Sequence, residues 1–283
     1  MAATASDGLL VSTDWLADHL DDPSVRIIEV SFADDPAVYE TGHIPGAVWW
    51  YWKNALWHEA DREFATTEQI AERLASIGVN PQMTIVLYGD PVQFGTYAFW
   101  VLTMAGHPDV RLLDGSRTKW SAEGRPMVSE PPNWPSAPYA VQTPDLSSRV
   151  GRDDVRDHLD DPHRLLLDVR SPEEYNGQRV SPPSGFDHGA ERKGRIPGSA
   201  PLYFRDVFND DDTYKSIAQL RALCAKHPNA PHTAEEIVTY CRLSHRATAV
   251  WFALAFLLGH SNVKIYDGSW TEWGSIVGFP IER

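Results

Sequence analysis

The sequence predicts an α/β fold in two tandem copies, each a mostly parallel sheet with helices on both faces. Three observations predict it. The chain repeats itself: "TGHIPGAV" at 41–48 returns as "KGRIPGSA" at 193–200, and "VRLLDGSRTKW" at 110–120 returns as "VKIYDGSWTEW" at 263–273. Its short β-branched runs are bounded by turn residues, the pattern of buried strands. Helical stretches stand between those runs, and strands alternating with helices favour a parallel sheet covered on both sides.

Taken in order, the elements fall into a first copy (7–125), a linker (126–148) and a second copy (149–283). In the first, "TTEQIAERLASIG" (66–78) opens on a threonine and stops at Gly78, the signature of a capped helix, and "TIVLYGD" (84–90) is a strand. The aromatic cluster "WWYWKNALW" (49–57) is expected to be core between the copies. The prolines of "RPMVSEPPNWPSAPYAVQTPD" (125–145) forbid regular structure and favour an extended connection.

In the second copy "RLLLDVR" (164–170), "EIVTYC" (236–241) and "VKIYDG" (263–268) read as strands, and "SIAQLRALCAKH" (216–227) as a helix. A further helix is expected from Arg246 or Ala247 to Gly259. "RIIEVS" (26–31) matches "LLLDVR" (165–170) at a shorter separation than the other repeats, so the second copy carries extra residues, assigned to "NGQRVSPPSGFDHGAER".

The net charge of −14 argues against nucleic acid or an anionic membrane as partner, because phosphate contacts need a basic face. The longest apolar run, "VWFALAFLL" (250–258), is too short to span a bilayer and reads as a core helix. "MAATASDGLL" lacks the charged and apolar regions of a signal peptide, so a cytoplasmic location is expected. Two cysteines, Cys224 and Cys241, are too few for a disulfide framework or a zinc site, which leaves the chemistry of a single thiol. Cys224, in a helical pattern, reads as an ordinary half-buried thiol.

Cys241 is placed differently. It ends a strand and opens a loop into a helix, where free amides and the helix dipole make an anion site. A cysteine so placed is favoured as its nucleophilic thiolate, and adjacent arginines act in the same direction. Arg242 and Arg246 also offer planar charged forks suited to a sulfo, carboxylate or phosphate group, so both are expected to bind an anionic substrate beside the sulfur. Aligning "VLYGDPVQFGT" with "VTYCRLSHRAT" sets Gly89 opposite Cys241, and the first copy has no nucleophile.

At these residues the sequence resembles the tandem-domain rhodanese family, the thiosulfate and mercaptopyruvate sulfurtransferases, on "GHIPGA" and "LLDGSRTKW" in one copy and "LLDVRSPEEY", "GRIPGSA", "YCRLSHR" and "YDGSWTEW" in the other. The resemblance implies two rhodanese-like domains and a six-residue active loop, Cys241–Arg246, including Leu243, Ser244 and His245. It implies that Cys241 takes a sulfane sulfur as a persulfide and passes it to cyanide or a thiol, with no metal or organic cofactor, and that loop amides cradle the terminal sulfur. A basic residue at the second loop position, here Arg242, tilts the family toward thiosulfate; a glycine there marks the mercaptopyruvate type. Arg170 matches a family arginine near the loop and is carried as a substrate-binding candidate, with pairing to an acid within the fold as its alternative.

The loop departs from the family at Ser244, where glycine is usual and a side chain resists positive φ, and at His245, where glutamate is frequent; His245 is expected to face solvent. His43 and Arg195, before each "IPG", read as structural, and Trp270 and Trp273 as packing. A phosphatase is disfavoured because Cys241 to Arg246 is Cys-x4-Arg, one residue too short to wrap phosphate. A Cys–His hydrolase using His245 or His260 lacks an orienting partner. A sulfur-relay module served by a partner protein keeps the same cysteine and stays open. The expected partners are a small anionic sulfur donor and a thiol or cyanide acceptor, and a chain built from its own two copies is expected to be a monomer.

Overall fold

The computed structural model describes residues 8–180, 190–227 and 231–283. The described residues form two compact units: one holds 8–146 with 210–213, the other 147–180, 190–209, 214–227 and 231–283. Most of the insertion assigned to the second copy lies outside the described residues.

The first unit contains β1 (Leu10–Val11), β2 (Val25–Ser31), β3 (Val48–Tyr51), β4 (Thr84–Asp90) and β5 (Val110–Leu113), in the sheet order β1-β5-β4-β2-β3. The second contains β6 (Arg149–Val150), β7 (Arg164–Asp168), β8 (Ala200–Pro201), β9 (Glu236–Tyr240) and β10 (Val263–Tyr266), in the order β6-β10-β9-β7-β8. Every strand pair is parallel. The two orders are the same permutation, so the repeat read from the sequence is a repeat of topology. β2 is buried along its whole length, as expected of a strand covered on both faces.

The cores correspond residue by residue. Val11, Leu16, Ile27, Ile44, Val86, Tyr88 and Trp120 cluster in the first unit, and Val150, Val155, Leu166, Ile196, Val238, Tyr240 and Trp273 in the second. Each core encloses a buried acid at the corresponding place. Tyr88 donates its hydroxyl to Glu29, and the Ile44 amide donates to Tyr88 Oη at 3.3 Å. Tyr240 likewise donates to Asp168 Oδ2 at 2.7 Å and accepts from the Ile196 amide at 3.2 Å. The compensating arginine differs: Arg117 reaches Glu29 at 2.8 Å from the position that Trp270 fills in the second unit, whereas Asp168 is paired by Arg170, two residues further along the chain and just past β7.

The helices begin where the sequence signals them. Thr66 and Ser216 each close a capping box with a glutamine, Gln69 and Gln219, ahead of helices Thr67–Ser76 and Ile217–Lys226. Residues 131–146 carry neither helix nor strand, as their prolines require. They lie along the first unit: Arg26 stacks 3.5 Å from the Trp134 ring, the Ala137 amide donates to Ala75 O at 3.0 Å, and Tyr139 Oη meets His107 Nδ1 at 2.8 Å. Trp52 and Trp57 of the aromatic cluster are buried in the first unit, edge to face at 4.7 Å, with Trp57 Nε1 donating to Tyr97 Oη at 2.7 Å. None of the helices among the described residues is long and apolar enough to cross a membrane.

Candidate functional site

Cys241 stands immediately beyond β9, the central strand of its sheet, with Asp168 of β7 in register with Tyr240 on one side and Ile265 of β10 with Thr239 on the other. Parallel strands therefore bring three segments to their common carboxyl end: 168–174 after β7, the cysteine loop after β9, and 267–271 after β10. Ligands of open parallel sheets bind at this end.

The loop is clamped from the β10 side. The amides of Cys241 and Ser244 both donate to Ser269 Oγ, at 3.2 and 3.3 Å, and that hydroxyl donates to Tyr266 O at 2.9 Å. Its one hydrogen and both lone pairs are thus engaged. Cys241 O and Arg242 O accept from the amides of Trp270 and Thr271 at 3.0 and 3.1 Å. Ser244, left-handed at φ +64°, donates its hydroxyl to Asp267 Oδ1 at 2.6 Å, and Arg149 pairs with the other carboxylate oxygen at 3.1 Å. A helix follows at His245–Phe252, its first residue within one of the expected start, and continues as a π-helical turn over Ala253–Leu257.

From the β7 side comes a residue that the sequence reading missed. Glu174, fully buried, accepts two parallel hydrogen bonds from Arg246, at 2.7 and 2.9 Å. Burial works against the charge on both partners. For Arg246 the bonds and charge of Glu174, with a smaller contribution from the charge at Cys241, outweigh it and lift the guanidinium above its ordinary value. For Glu174, Arg246 and then Arg170 overcome burial and hold the carboxyl below its ordinary 4.5. The sequence does carry half of the signal: Ser171-Pro-Glu-Glu174 is a capping box, and Glu174 also accepts from the Ser171 amide at 3.3 Å. The other half, a partner 72 residues away, appears only in the fold.

The sequence-derived candidates now sort by position. Cys241 is 1% exposed and Leu243 and Arg242 are buried in the same loop. Arg246 belongs to that loop, with its fork engaged by Glu174. Arg170 lies at the same sheet end, but its Nε and Nη2 hold Asp168 and its Nη2 also reaches Gly194 O at 2.8 Å; this is the ion pair within the fold that the sequence left as its alternative. His245 corrects the expectation of a solvent-facing side chain. It is 8% exposed, because the helix it opens is covered on nearly all sides and offers its first residue no wet face.

The remaining candidates are structural. His43 is stacked on Tyr39 at 3.7 Å, Arg195 lies over the Tyr175 ring at 4.5 Å, and Trp270 and Trp273 are fully buried. Cys224 lies on helix Ile217–Lys226, and burial pushes its thiol up. In the first unit Gly89 has no space for any side chain: a Cβ there would come closer than 3.0 Å to Gly95 N, Pro91 O and Val92 O.

Two copies of one α/β domain, with a lone cysteine loop at the sheet end of the second, define a duplicated domain that keeps one thiol site. Comparison with known proteins names the class. Residues 12–123 and 151–276 each match the rhodanese-like domain, and the chain belongs to the rhodanese family, as a tandem-domain sulfurtransferase. It is 43% identical to the sulfur carrier protein TtuD of Thermus thermophilus, over 97% of this chain and 96% of that one. It is 40% identical to a protein of Saccharopolyspora erythraea named "Putative thiosulfate sulfurtransferase", over the same shares. The crystal structure of YnjE superposes with a TM-score of 0.82 at 27% identity, covering 97% of this chain and 69% of that one.

Proposed function

We propose that the protein moves a sulfane sulfur from thiosulfate to cyanide or a thiol by way of a persulfide on Cys241. The observation that carries the reading is the position of Cys241: one thiol, at the carboxyl end of the central strand, at the mouth of a helix, in the copy whose loop accommodates a side chain. The thiolate would attack the outer sulfur of thiosulfate; the S–S bond of the donor breaks and sulfite leaves with the electron pair. An acceptor nucleophile then attacks the terminal sulfur of the persulfide, forms thiocyanate or a new persulfide, and returns the Cys241 thiolate. Arg246, held by Glu174, supplies fixed positive charge to the loop, and Arg242 is the fork that meets the anionic donor. Amides of the loop, with those of Cys241 and Ser244 already engaged, would cradle the terminal sulfur through Leu243, Arg246 and Ala247.

The near-complete burial of Cys241 supports a small donor. The likeness to a sulfur carrier supports a second reading, in which a partner protein supplies the sulfur. Mass spectrometry of the reduced protein after thiosulfate treatment, followed by cyanide and a thiocyanate assay, separates them. A sulfur adduct on Cys241 that cyanide discharges, and that Cys241→Ser lacks, is the expected result. An adduct from 3-mercaptopyruvate alone reassigns the donor. No adduct from either, with loading by a cysteine desulfurase, establishes the carrier.

A further inference from the structure

Four described residues other than glycine have positive φ, and two of them, Ser244 and Ser269, hold the Cys241 loop. Left-handed backbone is uphill for any residue with a side chain and persists only where the surroundings enforce it. Around Ser244 they do. Its side chain is fully buried; its hydroxyl donates to Asp267 Oδ1 at 2.6 Å, with Asp267 O 3.1 Å away, and its amide donates to Ser269 Oγ. Asp267 is fixed in turn by Arg149.

The first unit provides the control. Ser116, which corresponds to Ser269, is also left-handed at φ +49° and also accepts from the amide that aligns with that of Cys241, Gly89 N to Ser116 Oγ at 3.0 Å. That serine is therefore part of the fold in both copies. The residue that aligns with Ser244 is Val92, and it is right-handed at φ −48°, ψ −38°. The left-handed turn and its hydroxyl accompany the cysteine rather than the fold.

We propose that Ser244 is a positioning residue for Cys241: its hydroxyl clasp on Asp267 holds the left-handed turn, and the turn brings the amide of residue 244 onto the Ser269 oxygen that already holds the amide of residue 241, and so fixes where the sulfur stands. The proposal rests on the reading of Cys241 as the sulfur-carrying nucleophile. With a side chain but no hydroxyl, as in alanine, the backbone at 244 relaxes out of the left-handed region, its amide leaves Ser269, and the loop around the sulfur loosens while the sheet below it stays intact.

The test compares wild type, Ser244→Gly and Ser244→Ala, all in a Cys224→Ser background. Glycine removes the hydroxyl and also the strain, so the variant should keep the wild-type urea midpoint; alanine removes the hydroxyl and keeps the strain. The readouts are the rate of sulfur loading from thiosulfate or 3-mercaptopyruvate, resolved into KM and kcat, and the rate of Cys241 alkylation by iodoacetamide. The expected result is a Ser244→Ala protein, folded in buffer, whose loading kcat falls tenfold or more at near-constant KM and whose alkylation rate changes by a similar factor, while Ser244→Gly, whose backbone takes the left-handed turn unaided, stays within about threefold of wild type in both. Loading and alkylation within twofold of wild type in Ser244→Ala would overturn the proposal, because the clasp would then serve folding alone. If wild type takes sulfur from neither donor, the reading of small-donor transfer fails, and the alkylation rates of Ser244→Ala alone decide the positioning role: a change of fivefold or more in either direction sustains it, and a smaller change overturns it.

Discussion

At the scale of the residue, the pair Glu174–Arg246 shows how this site differs from a list of charged side chains. Arg246 was legible as a loop arginine, because its spacing from Cys241 is written in the chain. That its fork faces a buried carboxylate was not, since "SPEEY" specifies a capping box whichever residue lies across the sheet end. Removing one partner of a buried pair strands the other charge. Glu174→Gln is therefore expected to cost about 3 kcal/mol or more, read as a lower urea midpoint. The pH dependence has a definite sign. Arg246 and its neighbours depress the folded value for Glu174, so the pair's stabilisation is complete above 4.5 and is lost as pH falls through the depressed value. Wild type should thus lose stability below 4.5 more steeply than Glu174→Gln; parallel acid limbs in the two proteins would contradict the assignment.

At the scale of the element, the strands and capped helices were legible because period and caps are local properties. Thr66 and Ser216 announce their helices in the sequence and cap them in the structure. Ser216→Ala should cost about 1 kcal/mol, the usual worth of an N-cap, measurable by thermal melting. The environment of His245 was not legible, because whether a helix start is wet depends on what packs over it. The loops after β4 and β9 make the sharper contrast. Sequence alignment showed that Gly89 replaces the cysteine; only the fold showed that no side chain fits there. Gly89→Cys is expected to lower the melting temperature and to leave Cys241 as the sole site of sulfur loading, checked by peptide mapping of the adduct.

At the scale of the molecule, the duplication explains why so much of the chain could be read at once: a motif found in one copy predicts a position in the other, and the sheet orders agree strand for strand. What the repeat conceals is where the copies exchanged parts. The buried acids Glu29 and Asp168 occupy the same place, yet their arginines arrive from different segments, and no comparison of "RIIEVS" with "LLLDVR" reveals that. The proline-rich stretch was legible as lacking regular structure, but its attachment along the first unit was not, since the stacking of Trp134 on Arg26 joins residues far apart in sequence. Trp134→Ala removes a cation–π contact of about 1 kcal/mol, so amide exchange across 131–146 should quicken by roughly fivefold to tenfold; unchanged exchange would show that backbone bonds alone hold the stretch.

The crowded turn at Gly89 has a consequence in terms of stoichiometry. A duplicated domain suggests two seats, but on the proposed reading this chain has one: the first copy has no room for a side chain at Gly89, and Cys224 is buried on a helix with its thiol pushed toward the protonated form. Titration with a labelled donor should therefore saturate at one sulfur per chain, with every exchange of cargo expected to pass through the same atom in alternation. Donor and acceptor then use a single berth in turn, the donor at the free thiol and the acceptor at the persulfide, so excess of either should slow turnover by occupying the form that belongs to the other.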